Sequence, residues 1–401
     1  MAIPTDRIYS LEGKGLKLTT AKDIEPYLAE LRDVENLEEV RLNGNTLGAE
    51  ASKALASVLK TKKTLKVATL HDIFTSRLKD EVKESVVAIC EALGELPELV
   101  EVNLSDNAFG PLGAESMAPF LARHTKLEVL KLNNNGLGIQ GGTTIARALL
   151  ACHAECERQG LQPALRTLVC GRNRLENGAA PEFARAFAAL KTLREVRMPQ
   201  NGIRPEGIAE LVAGLSHNAE LGVLDLQDNT FTASGSQALA VALAKWEALE
   251  ALNIGDCLLG AEGGRLVIQA LKNSHTLKTV NLQYNDIEND GAVALSESLR
   301  TLKVLESLEL NGNRFDAEGD AVELIKAALS ENDLDDDILG SLSDMEELTD
   351  DEDEEDESDG EKDEEDESDG EKDEAEQPTS AAKADEQLAD LVDEMKKQLS
   401  I

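Results

Sequence analysis

Apolar residues recur along this chain in a fixed phrase, Leu-x-x-(Leu/Val)-x-Leu-x-x-Asn, separated by stretches of helical periodicity. The phrase reads Leu37, Val40, Leu42, Asn45, and again Leu99, Val102, Leu104, Asn107. It recurs at Asn135, Asn173, Asn201, Asn229, Asn285 and Asn313, while Ile73 and Cys257 stand in for the asparagine in two units. From Asn45 the spacings are 28, 34, 28 and 38 residues, then five of 28. Alternation in the phrase predicts a short strand with every second residue inward. The segments that follow, such as Leu239, Ala242, Leu243 and Trp246, carry the spacing of one helix face. No unit of this size buries its own apolar side, so neighbours must stack. The expected fold is an α/β leucine-rich-repeat solenoid, a ribonuclease-inhibitor-like horseshoe of about 11 repeats, with strands inside and helices outside.

The pattern also sets the expected organisation. Residues 1–330 form the repeat domain, with residues 8–20 as an N-terminal cap or irregular first repeat. Residues 331–343 read as a linker, and 344–376 as an acidic tail in which EDESDGEKDE occurs twice in tandem. Such self-repelling, low-complexity sequence is expected to be disordered. Residues 377–401 carry Leu388, Leu391, Val392, Met395 and Leu399 at the spacing of a short amphipathic helix. The two long spacings are insertions around His71–Lys83 and Cys152–Pro163, and insertions in solenoids are expected in loops on one face. Glycines after the turn (Gly48, Gly110, Gly138, Gly178, Gly207, Gly260) are expected where unusual backbone angles are needed.

Charge narrows the function. The net charge is −38, and residues 344–376 hold 23 acidic residues against two lysines. That balance argues against nucleic acid and anionic membranes and favours basic protein partners. No apolar run approaches the roughly 18 residues of a membrane span. Five cysteines, an odd number in a large chain, are expected to be reduced thiols of a cytosolic protein. Cys152, His153 and Cys156 lack the fourth ligand of a structural zinc site, so no metal is expected, and Cys152 and Cys156, four apart, read as plain cysteines on one helix face. No phosphate-binding loop, metalloprotease motif or nucleophile elbow occurs.

What remains is a row. The residue before each consensus asparagine falls in the strand-to-helix loop, where the scaffold does not need its side chain. Along the stack the row runs Gly44, Asp72, Asp106, Asn134, Arg172, Gln200, Asp228, Asp256, Tyr284 and Gly312. Stacking sets these residues side by side on one rim, polar and mostly acidic. In Asn133-Asn134-Asn135 the last asparagine belongs to the scaffold, and Asn134 is the extra one. The insertion adds Arg77 and Lys79; the alternative for these two is ordinary pairing with Asp72 or Asp80.

At these residues the chain resembles the Ran GTPase-activating proteins, in their fungal form. The resemblance rests on HDIFTSRLK (71–79), LSDNAFG (104–110), LNNNGLG (132–138), CGRNRLENG (170–178), QNGIRPEG (200–207), LDLQDNT (224–230), LELNGNRF (308–315) and DMEELT (344–349). It implies binding to Ran in its GTP-bound form, with a Ran-binding protein as an optional third component, and faster GTP hydrolysis without an inserted arginine. Asn134 then corresponds to the asparagine that orients Ran's own glutamine, with Arg77 supporting. Lys79, Asp72, Asp106, Arg172, Arg174, Asp228 and Asp256 are the expected partner-binding residues. The resemblance implies a monomeric regulator with no active site of its own, acting in nucleocytoplasmic transport from the cytoplasm or nuclear periphery. GTP and Mg2+ belong to the partner. Two other readings stay open on the residues alone: an inhibitory repeat clamp, and an acidic adaptor that binds through its tail.

Overall fold

The computed structural model describes residues 3–346. The acidic tail from residue 347 onward and the segment 377–401 lie outside the described residues. Within them, short strands and helices alternate in register with the repeat. Eleven strands form one parallel sheet in strict chain order, from Ile8–Ser10 through Glu101–Asn103 and Val129–Lys131 to Ser307–Glu309. Each strand is three residues long, and its middle residue is buried: Val102, Leu130, Leu168, Val196 and Leu224 are all 0% exposed. Partners in the ladder are one repeat apart, as in Glu101↔Val129 and Glu195↔Val223. One helix follows each strand and packs on the helices of the neighbouring repeats. The core is a continuous column of Leu, Ile, Val and Ala between the two layers. The leucine-rich-repeat solenoid expected from the periodicity is the fold observed.

Particulars depart from the expectation, each for a physical reason. The N-terminal segment is a full repeat: Ile8–Ser10 pairs with Glu39–Arg41, and the helix Ala21–Asp33 starts in a capping box between Thr20 and Asp23. Of the glycines after the turn, Gly110, Gly138 and Gly260 do take positive φ. Gly207 is needed for another reason, since a Cβ there would lie 2.6 Å from Asn177 Oδ1.

The two insertions are not alike. Between Val67–Thr69 and its helix Lys79–Leu93, the first extends the loop on the strand-to-helix edge. The second lengthens a helix, Gly138–Gln159, to 22 residues against 12 in Gly110–Leu121. Its extra turns lie at the helix-to-strand edge, opposite the rim row, because strands and helices run in opposite directions. Cys152 and Cys156 sit in those turns, and burial pushes the Cys152 thiol up to about 12.

After the last helix, Asp320–Glu331, the stretch expected as a linker lies on the final repeat. Leu334, Ile338 and Leu339 cover the core, with Gly340 N–H donating to the Leu308 carbonyl at 3.0 Å, and Met345, expected at the start of the disordered tail, packs there with them. These residues close the apolar end that a solenoid would otherwise expose.

Candidate partner-binding rim

The rim is built by the consensus asparagines. Asn135 Nδ2 donates to the carbonyls of Leu104 and Leu132, both at 3.0 Å, and its Oδ1 accepts from Asn107 N–H at 3.0 Å. Asn173 repeats the pattern one unit on, accepting from Asn135 N–H at 2.9 Å. Every bond satisfies a buried backbone group that stacking leaves without a partner. Where Cys257 replaces asparagine, its thiol donates weakly to the carbonyls of Leu226 and Gly255, each at 3.4 Å. Ile73 supplies only packing, and its N–H is taken by Asn107 Oδ1.

The row before these asparagines has one conformation throughout. Asp72, Asp106, Asn134, Arg172, Gln200, Asp228, Asp256 and Tyr284 have φ between 49° and 60°, and Gly44 and Gly312 have φ of 75° and 71°. This corrects the view that the scaffold makes no demand there. A left-handed backbone favours Gly, Asn and Asp, so part of the acidic character of the rim is conformational preference. Arg172, Gln200 and Tyr284 hold the same angle without that preference. A second line of backbone bonds fixes the row: Asp106 N–H to Asn133 O, Asn134 N–H to Gly171 O, and Arg172 N–H to Pro199 O, at 2.8–2.9 Å.

Side chains on this rigid edge pair along it. Asn134 Nδ2 donates to Asp106 Oδ1 at 3.0 Å, and Gln200 Nε2 to Asp228 Oδ2 at 2.8 Å. Asn134 is exposed. With one amide hydrogen committed to Asp106, it presents its second hydrogen and its carbonyl oxygen outward. Asn133 is a scaffold residue here, because its Oδ1 accepts from Gly171 N–H.

The structure therefore sets Asp72, Asp106, Asn134, Arg172, Asp228 and Asp256 on one line, with Arg174 two residues past Arg172 in the same loop. Arg77 lies on the inserted loop and Lys79 at the start of the helix that follows it, two repeats before Asn134. Lys79 is exposed and opens its helix. Arg77 pairs with neither Asp72 nor Asp80 among the described residues. Its guanidinium reaches back across the stack to Thr46 Oγ1 (2.9 Å), the Thr46 carbonyl (2.9 Å) and Thr19 Oγ1 (3.0 Å). Thr46 Oγ1 in turn donates to the Thr75 carbonyl at 2.6 Å. Asp72 accepts from the Thr75 hydroxyl, which folds the loop on itself. Thr19 and Thr46 carry no local signal of this role, since they lie 58 and 31 residues from Arg77.

The fold and this edge define a leucine-rich-repeat protein that displays one preorganised polar rim. A leucine-rich-repeat family model matches residues 97–118 and 273–296. The chain is similar to Ran GTPase-activating protein 1 of Saccharomyces cerevisiae, at 42% identity over 248 residues, 60% of this chain and 61% of that one. To Ran GTPase-activating protein 1 of Xenopus laevis it is 45% identical over 197 residues, 48% of this chain and 34% of that one. Likeness to the ribonuclease inhibitor of Sus scrofa is lower, 29% over 186 residues and 38% of each chain. The matches span less than two thirds of these curated relatives. The resemblance to leucine-rich-repeat Ran GTPase-activating proteins, read from the motifs, is borne out by these relatives.

Proposed function

We propose that this chain is a GTPase-activating protein for Ran, and that it acts by orienting Ran's own catalytic glutamine. The observation that carries this reading is Asn134: an exposed amide on a rigid rim, turned outward by its backbone and aimed by Asp106. Phosphoryl transfer needs little covalent help from protein, so positioning the attacking water and the group that holds it supplies most of the gain. An amide both donates and accepts, and so can grip another amide without bringing charge to the phosphate. The rim would take the GTP-bound form of Ran, alone or with a Ran-binding protein, through Lys79, Asp72, Asp106, Arg172, Arg174, Asp228 and Asp256. The GTP and Mg2+ sit in Ran, and the activator works as a monomer in the cytoplasm or at the nuclear periphery, supporting nucleocytoplasmic transport. The decisive assay measures GTP hydrolysis by several small GTPases with and without the chain. Acceleration of Ran alone supports the reading, and no acceleration of Ran ends it.

Arg77 supports this chemistry from a distance. A finger that reached the phosphate would have to give up three hydrogen bonds, two of them to hydroxyls on neighbouring repeats. Its role is to clamp the inserted loop so that Lys79 is presented in one place. Arg77→Ala is expected to raise the activator concentration for half-maximal stimulation about tenfold, the loss of one or two net hydrogen bonds, while the rate at saturation falls far less. Arg77→Lys should not rescue it, because an ammonium lacks the planar fork. A collapse of the saturated single-turnover rate in Arg77→Ala would instead restore the arginine finger.

A further inference from the structure

Arg172, Arg174 and Arg204 stand out on a strongly acidic chain. All three are exposed, and none forms an ion pair among the described residues, although Glu176, which opens the helix Glu176–Leu190, stands one repeat before Arg204 in the same register position. Arg172 and Arg174 hold φ of 56° and 53°, left-handed angles that an arginine adopts only at a conformational cost. Arg204 caps the helix Pro205–Leu215 in the next repeat, beside them. The rim thus carries a compact cationic patch at a conformational cost that aspartate or glycine would avoid.

The other end of the described chain leads toward this patch. Asp344 is pinned to the rim by Tyr284 Oη at 3.1 Å and Asn311 Nδ2 at 2.8 Å, and these donors hold its carboxyl below the usual carboxylate range. Glu346 N–H donates to the carbonyl of Asn313, the last asparagine of the ladder, at 2.9 Å. The chain therefore leaves the solenoid on the rim itself. Residues 347–376 follow, with 21 acidic residues and two lysines. Strand spacing of about 4.8 Å puts the patch four to five repeats away, roughly 20–25 Å. Thirty residues reach about 100 Å when extended, so the span is easily crossed, and a tether of this kind gives millimolar effective concentration.

We propose that Arg172, Arg174 and Arg204 form an acidic-peptide site, and that the chain's own residues 347–376 occupy it while no partner is bound. Asp228 and Asp256 lie between the two ends and disfavour an acidic occupant there, and added salt should weaken binding at the arginines. The consequence for activity rests on the reading of the rim as the Ran surface: the tail would compete with the partner for Arg172 and Arg174.

The test uses the full chain carrying Arg172→Lys and Arg204→Lys, which keeps the charge and adds amines. A carbodiimide joins amines to carboxylates in contact. At about 20 mM salt, where screening is weak, mass spectrometry of the monomer should find the two introduced lysine side chains joined to Asp or Glu within 347–376. At about 500 mM salt that product should fall at least fivefold. Joining only to Glu176 or other repeat carboxylates, or products found only in a cross-linked dimer, would overturn the proposal. A second variant with Arg174→Gln added should lower the yield several-fold at low salt, and an unchanged yield would also overturn it. No GTPase is present, so failure here leaves the activator reading standing, and failure of that reading leaves this measurement intact.

Discussion

Asn134→Gly should lower the single-turnover rate of Ran-bound GTP at saturating activator by about 100-fold, within the 10²–10³ range known for losing one preorganised donor. Glycine suits the test better than alanine. Asn134 holds φ of 52°, which glycine adopts freely and alanine only with strain. The scaffold bonds belong to Asn135, so stability should stay within about 0.5 kcal/mol, the range of a neutral surface change. Activator concentration for half-maximal stimulation should shift about threefold or less, since one exposed amide adds little to ground-state binding. Asn134→Asp should do worse than glycine. It cannot donate, and it sets a second carboxylate against Asp106, whose oxygen now accepts from Nδ2 at 3.0 Å. Asp106→Gly, which keeps the φ of 60° without strain, should cost an intermediate factor of about ten, by freeing the amide to rotate and adding the cost of ordering it. Full stimulation by Asn134→Gly at saturation would remove the asparagine from the mechanism.

The repeat was legible because it is local and periodic. Strand, turn and helix all fall within 28 residues, and the asparagine marks the same place in each unit. Row order on the rim follows from stacking alone, so the spacing itself sets Asp106, Asn134 and Arg172 side by side. Three features were not legible. The left-handed backbone of the row arises from the ladder of loop hydrogen bonds, and no single residue encodes it; Arg172 and Tyr284 adopt it against their own preference. The clamp on Arg77 joins three repeats, and threonine at 19 and 46 carries no signal of an arginine partner. The Cys152–Pro163 insertion was expected in a loop on one face, although Cys152 and Cys156 already read as helix cysteines; the segment through Gln159 continues the helix, with Cys156 buried. Sequence periodicity marks a helix, but it does not tell which end of a repeat an insertion will lengthen.

The largest expected loss of stability falls on the ladder, at Asn173. Its Nδ2 donates to the carbonyls of Leu132 and Gly171, both at 2.9 Å, and its Oδ1 accepts from Asn135 N–H at 2.9 Å. The residue is 0% exposed, so water cannot replace these partners without opening the stack. Asn173→Ala leaves the buried Asn135 N–H without its acceptor, at about 1–3 kcal/mol, and removes one of two donors from each of the Leu132 and Gly171 carbonyls, which keep Asn135 Nδ2 and Asn134 N–H, for a total of roughly 2–4 kcal/mol. Cys257 shows what the ladder tolerates: a thiol bonded weakly to two carbonyls, each at 3.4 Å. Asn173→Cys should therefore recover part of the loss and Asn173→Ser less, because its hydroxyl is too short to reach both sides. Denaturant unfolding followed by circular dichroism measures the loss, and a change under 1 kcal/mol for Asn173→Ala would mean that water or a shifted loop satisfies those groups. The same substitution links scaffold to function. Asn173 holds the N–H of Asn135, the residue next to Asn134, so Asn173→Ala should also reduce stimulation at temperatures where the protein stays folded. Alanine at Asn285, in the same ladder four repeats further on, should cost comparable stability and leave stimulation nearly unchanged, which separates loss of rim geometry from loss of fold.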